Sequence, residues 1–184
     1  VTALLDGRSL VFLDACCLLN LAASGRFSRV LDALPARFGV ARAAWEEVLY
    51  LDGTGEEGDR EPVDLKPFLA PGFLQITQPE TEQETAGYVD FAAHLDDGEA
   101  MTCALARARG GAVATDDRKA LRLLRSLEPP VPALTTSVLL KNWADEISPS
   151  PSDLKRVLTD VERRGRFRPG RTDPLFEWWE AAVR

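Results

Sequence analysis

The stretch SLVFLDACCLLN, residues 9–20, passes from a strand-like apolar run through a carboxylate into a helical run. Its first half, SLVFL closed by Asp14, has the near-continuous hydrophobicity of a strand buried on both faces. The second half reads as a helix to about Ala23. An acid at such a handover lies at the carboxyl edge of an open α/β sheet, which is where ligands bind. The arrangement returns a hundred residues later in GGAVATDDRKALRLL, where the short strand 112–115 meets Asp116 and Asp117 at the head of another helix. Two further acids stand between them in helical settings, Glu47 in AAWEEVLY and Glu99 in LDDGEAMTCALA. Carboxylates converging on one edge of a parallel sheet would hold a hard cation, since Mg²⁺ and Mn²⁺ prefer oxygen ligands. That points to metal-dependent phosphodiester chemistry.

Outward from these segments, elements alternate. Helix is expected over 27–34, strand over 37–41 and helix over 42–51. Residues 51–64 are rich in glycine and acids without periodicity, the pattern of a mobile loop. A strand follows over 73–77, then a helix over 80–94 opened by the capping pattern of Thr81 and Glu84. A helix over 98–109 stops at Gly110-Gly111, one over 117–127 follows the second acid pair, and 131–134 is a short last strand. Strands alternating with helices predict an α/β fold of three layers, with a central parallel sheet covered on both faces. The composition changes after Trp143, so the chain divides into a catalytic domain over 1–144 and a helical extension over 145–184 packed on it. The extension has a Ser/Pro entry, a capped helix starting near Ser152, a Gly/Pro turn and a final helix with Trp178 and Trp179. Two adjacent tryptophans cannot share one side of a helix, so at least one packs against the sheet domain or a partner. Arg163, Arg164, Arg166 and Arg168 are then expected to face RNA or a partner chain.

Length and composition suit one such unit: 184 residues, 45% of them hydrophobic and 8% aromatic, suffice for a core. No run of 18 apolar residues exists to span a membrane. The amino-terminal segment lacks the basic region, apolar stretch and cleavage site of a signal peptide, which makes the cytoplasm the expected location. Net charge is -7, but residues 1–100 carry 7 basic against 18 acidic side chains and residues 101–184 carry 15 against 11. The basic clusters DRKALRLLR and VERRGRFRPGR suit phosphate contacts or, equally, a solvated helix face and a turn. Cys16, Cys17 and Cys103 show no metal or disulfide spacing and read as small buried hydrophobes. The sole histidine, His94, reads as a helix-surface residue and leaves neither a zinc site nor a catalytic triad a good basis.

VFLDACCLLN with Asp14, AAWEEVLY with Glu47, GEAMTCALA with Glu99 and VATDDRKA with Asp117 resemble, in order, the acidic motifs of PIN-domain ribonucleases. The likeness spans about residues 9–135 and is nearest to VapC-type toxins of toxin–antitoxin modules, specifically a VapC-like subfamily with a carboxy-terminal helical extension. It implies a Mg²⁺- or Mn²⁺-dependent endoribonuclease. Asp14, Glu99 and Asp117 would hold the metal, Asp116 would serve as neighbour or auxiliary ligand, and Glu47 would complete the shell and take a proton from the attacking water. It further implies an RNA substrate, an antitoxin partner and a homodimer. Cys16 stands where such proteins usually carry Ser, Thr or Asn, and a thiol is a poor hydrogen-bonding partner for Asp14. Other readings exist for the same residues. Asp14, Asp116 and Asp117 are also good helix caps, and Glu47 and Glu99 taken singly are solvated helix charges. A receiver domain or a haloacid-dehalogenase-type phosphatase needs acids and a lysine that this chain does not place. A PIN-fold protein acting mainly through protein–protein binding is the remaining alternative.

Overall fold

In the computed structural model, residues 9–48, 50–52, 60–69 and 73–184 are described. The expected segments form β1 (Ser9–Leu13), α1 (Ala15–Ala23), α2 (Phe27–Asp32), β2 (Ala36–Ala41) and α3 (Arg42–Glu47). There follow β3 (Tyr50–Asp52), β4 (Arg60–Pro62), β5 (Leu74–Thr77), α4 (Glu82–Ala92), α5 (Asp97–Ala108) and β6 (Ala112–Ala114). The chain continues through α6 (Arg118–Ser126), β7 (Ala133–Leu134), α7 (Thr136–Ile147), α8 (Pro151–Arg164) and α9 (Phe176–Val183).

Strands β5, β2, β1, β6 and β7 lie in that order in one all-parallel sheet flanked by helices, a three-layer α/β/α fold. Val11, Phe12 and Leu13 of the central strand have no exposed surface, as a strand covered on both faces requires. Helix α5 packs across β1, β2 and β6 and carries α4, while α1 contacts α2, α3, α7 and α8. The Thr81–Glu84 capping box opens α4, and Gly110, at φ +63°, ends α5 in the left-handed conformation that glycine adopts without a Cβ clash.

The chain runs from β1 outward through β2 to β5, then returns to place β6 on the other side of β1. The gap between the carboxyl ends of β1 and β6 is therefore the topological switch point of the sheet. Leu13 pairs with Ala114, and the Asp14 N–H donates to the Ala114 carbonyl at 3.0 Å, so the acids after these strands are neighbours.

Two segments depart from the sequence expectation. The helix expected over 42–51 ends at Glu47, where Val48 turns extended (φ -79°, ψ 90°), and Tyr50–Asp52 pairs antiparallel with Arg60–Pro62. The segment expected as one mobile loop over 51–64 thus begins and ends in a hairpin. Its middle, 53–59, lies outside the described residues, as does the amino-terminal stretch 1–8.

In the carboxy-terminal part, Trp179 is fully buried and its Nε1–H donates to Glu162 Oε1 at 2.8 Å, which locks α9 onto α8. Trp178 meets Trp179 edge-on and lies beneath the Lys141 ammonium, 5.7 Å from its ring centre. The turn arginines expected to face outward are partly used inside the molecule. Arg164 pairs with Glu61, and Arg168 pairs with Glu180 and Glu162. Among the described residues no helix is long and apolar enough to cross a membrane.

Candidate metal centre

Three helices point their amino termini at the switch point, and each begins with an aspartate. Asp14 caps α1 by accepting the Ala15 N–H at Oδ1 (2.9 Å), and Asp96 caps α5 by accepting the Glu99 N–H at 3.1 Å. Asp117 caps α6, its Oδ1 accepting the N–H groups of Lys119 and Ala120, both at 2.7 Å. These partially positive helix ends favour anionic side chains.

Glu99, in the first turn of α5, is different. Its carboxylate has no hydrogen-bond partner among the described residues, and it is half-buried. Burial, then the charges of Asp117, Asp96, Asp14 and Glu47, push its pKa up to about 7. The four acids singled out in the sequence are therefore close enough to feel one another, with Glu99 at their centre. Glu47 reaches the group from α3: its carboxylate rests on the amino end of α5 and accepts the Gly98 N–H. A Cβ at Gly98 would collide with that carboxylate, so glycine is what lets Glu47 approach. Burial, followed by Asp96 and Asp14, raises the Glu47 pKa. Cys103, one turn beyond Glu99, forms the buried floor; burial and then the charges of Asp14, Glu99 and Asp117 push its thiol up.

Asp14 is buried, and desolvation raises its pKa against the hydrogen bonds that support its anion. The support includes a contribution from Cys16, whose Sγ donates to Oδ2 at 3.3 Å. A second donor is Thr115, whose Oγ1–H reaches the same oxygen at 3.0 Å while its oxygen accepts the Asp117 N–H at 3.1 Å. Thr115 thus ties the two strand-end aspartates together. The sequence held a signal for it, since Thr115 stands two residues before Asp117 in VATDDRKA, but its link to Asp14 depends on β1 and β6 being adjacent. Asp96, in the same LDDGEA segment as Glu99, is the second such residue: its charge acts on Asp14, Glu47 and Glu99 alike.

Asp116 turns the other way. Its Oδ1 accepts the Thr136 N–H (2.8 Å), and its Oδ2 accepts from Thr136 Oγ1 (2.5 Å) and Asn20 Nδ2 (2.9 Å), which joins the end of β6 to α1 and α7. Cys16, Cys17 and Asp116 also bring one donor atom each to within 4.8 Å of one another. Burial pushes the Cys17 thiol up, and a protonated thiol is a poor metal ligand. The donor set around Glu99, all carboxylate oxygens with one carboxylate unpartnered, fits a hard divalent cation far better. His94 is exposed at the end of α4, outside this group.

An acidic cluster at the switch point of an open parallel α/β sheet is an arrangement that could hold a hard cation. A family model described as a PIN domain matches residues 10–169, and the chain belongs to that family. PIN domains are typically metal-dependent nucleases. The match runs through α8 and leaves α9 beyond it. No curated protein and no solved structure gives a significant match.

Proposed function

We propose that the protein is a Mg²⁺- or Mn²⁺-dependent endoribonuclease that hydrolyses RNA phosphodiester bonds. The observation that carries this reading is the unpartnered, half-buried Glu99 carboxylate surrounded by Asp14, Glu47 and Asp117. A structural role for Glu99 would give it a hydrogen bond; a ligand role leaves its oxygens for an ion. Asp14, Glu99 and Asp117 hold the metal in this reading. A divalent ion there supplies an activated water and neutralises charge developing on the phosphate and the leaving oxygen.

The chain's own residues do the rest. Thr115 and Cys16 fix the Asp14 carboxylate through Oδ2. Asp117 commits Oδ1 to the α6 cap and keeps Oδ2 for the ligand. Glu47, with its raised pKa, is suited to accept the proton of the attacking water. Asp116 is a positioning residue, because both its oxygens are already bonded to Thr136 and Asn20. The resemblance to VapC-type toxins supports a place in a toxin–antitoxin pair, as a cytoplasmic homodimer whose small protein partner covers the acid groove.

The test is cleavage of a labelled RNA oligonucleotide with and without Mg²⁺, Mn²⁺ or EDTA. Asp14→Asn should lower the rate by more than about 100-fold with the fold intact, since even the partners of metal ligands typically matter 10–100-fold. Cleavage that survives EDTA or Asp14→Asn overturns the proposal.

A further inference from the structure

We infer that the groove between α6 and the segment 167–175 holds an RNA strand by its phosphates and delivers it to the acid site. This rests on the ribonuclease reading above. The groove has a volume of about 540 Å³, and its lining includes Asp116, next in sequence to the Asp117 cap. Arg118, Arg122 and Arg125 line it from α6. Their spacing of four and then three residues puts them on one helix face, a ridge about 10 Å long at 1.5 Å per residue.

All three arginines are exposed, and none has an ion-pair partner among the described residues. Arg164 and Arg168, by contrast, are held by Glu61, Glu162 and Glu180. The groove's own carboxylates do not cancel the ridge at contact range. Asp116 is tied to Asn20 and Thr136, and Asp173 accepts from Ser137 Oγ at 2.8 Å and from the Leu175 N–H at 2.7 Å. A Cβ at Gly170 would stand 3.0 Å from Arg118 Nη2, so the bare backbone there leaves the guanidinium its room. Opposite the ridge, Phe167, Pro174 and Leu175 give an apolar wall.

A row of cations facing an apolar wall matches a nucleic-acid strand, which carries anions along one side and flat apolar rings along the other. It also answers an electrostatic difficulty. A protein of net charge -7 with an acid-lined reaction site repels a polyanion, and needs a local positive track to hold one. An acidic protein tail would use the arginines but gain nothing from Arg118 following directly on Asp117 at the head of α6.

The experiment uses Arg118→Ala/Arg122→Ala/Arg125→Ala in the full chain. Arg37→Ala, exposed at the amino end of β2 and so at the far edge of the sheet, is the control. The probe is a fluorescein-labelled ten-nucleotide RNA, titrated in EDTA from 50 to 300 mM KCl. The triple variant should bind at least tenfold more weakly at 100 mM salt. The slope of log K against log salt should flatten by about 2, from roughly 0.7 per neutralised phosphate on a single strand. The control should match the unsubstituted protein. Unchanged affinity and slope in the triple variant overturn the inference, as does a poly-glutamate peptide that binds the unsubstituted protein as tightly as the RNA. Cleavage in Mg²⁺ separates the two claims. Arginine-dependent binding without cleavage sinks the ribonuclease reading and keeps the groove, whereas normal cleavage and binding by the triple variant sinks the groove alone.

Discussion

Replacing Glu99 by Gln removes one charge from the centre of the acid group and keeps its shape. In the metal-free protein this substitution should stabilise the fold, the reverse of what loss of a cap or buried hydrogen bond does. Glu99 titrates at about 7 in place of 4.5, because burial disfavours its anion and Asp117, Asp96, Asp14 and Glu47 repel it. That interval corresponds to about 3 kcal/mol at 1.36 kcal/mol per pH unit. Glu99 is only half-buried, and water screens part of the repulsion, so about 1–2 kcal/mol is the expected effect.

The sign follows from proton binding. Below pH 4.5 Glu99 is protonated in both folded and unfolded chains. Between 4.5 and about 7 the folded protein holds a proton that the unfolded chain has released, so stability falls as pH rises through that window and stays lowered above it. Asp14, Asp116 and Glu47, also raised, act in the same direction. Glu84, lowered to about 2 chiefly by its hydrogen bond from Arg109, acts oppositely but only between about 2 and 4.5. Urea denaturation in EDTA at pH 5 and pH 8 measures the difference. The unsubstituted protein should be less stable at pH 8, and Glu99→Gln should be the more stable of the two there, with a shallower pH dependence. Saturating Mg²⁺ should then stabilise the unsubstituted protein more than the variant, since only a ligand that binds the folded state shifts the equilibrium. A Glu99→Gln protein that is less stable than its parent at pH 8 in EDTA would refute the picture of a self-repelling site.

Gly98→Ala places a methyl group against the Glu47 carboxylate and should reduce cleavage about tenfold or more, with little change in melting temperature because the helix interior favours alanine. Steady-state rates equal to the parent's would show that the Glu47 position does not matter. Asp116→Ala leaves the buried Thr136 N–H without its acceptor and takes one of the two acceptors of Asn20 Nδ2, and should destabilise by about 2–3 kcal/mol in urea titration. A denaturation midpoint unmoved by this change would remove its assignment as a positioning residue.

Much of this was legible because apolar runs and acids occur in register. Residues 9–14 and 112–117 each carry a strand, a handover and an aspartate, and a parallel sheet puts such handovers on one edge. What failed depended on contacts distant in sequence. RAAWEEVLYL has helical spacing throughout, yet its tail joins β3 because Arg60–Pro62 offers a pairing partner. The sequence reading assigns no element to 136–147, where α7 runs past the composition change after Trp143. The division of labour between Asp116 and Asp117 was not legible either. Adjacent residues leaving a strand point to different sides, and only the positions of Asn20 and Thr136 show which side is structural. Likewise the basic turn and the α6 arginines look alike as composition, and the ion pairs to Glu61 and Glu180 separate them.

The capping and the metal-site readings of these acids are parts of one design. Like charges gathered without countercharge disfavour one another's ionised form, which weakens their hold on a cation. Asp14 and Asp117 each sit on a helix amino terminus, Asp14 Oδ1 accepting the Ala15 N–H and Asp117 Oδ1 accepting the N–H groups of Lys119 and Ala120, so hydrogen bonds hold both carboxylates in place. Glu99 has no such support and bears the accumulated repulsion. In the proposed site a cation would gain most at Glu99, would have to displace its proton as pH falls toward 7, and would bind more weakly below that point. The caps fix where the charges stand, and in the proposed site Glu99, whose carboxylate has no hydrogen-bond partner among the described residues, is the group left for an ion.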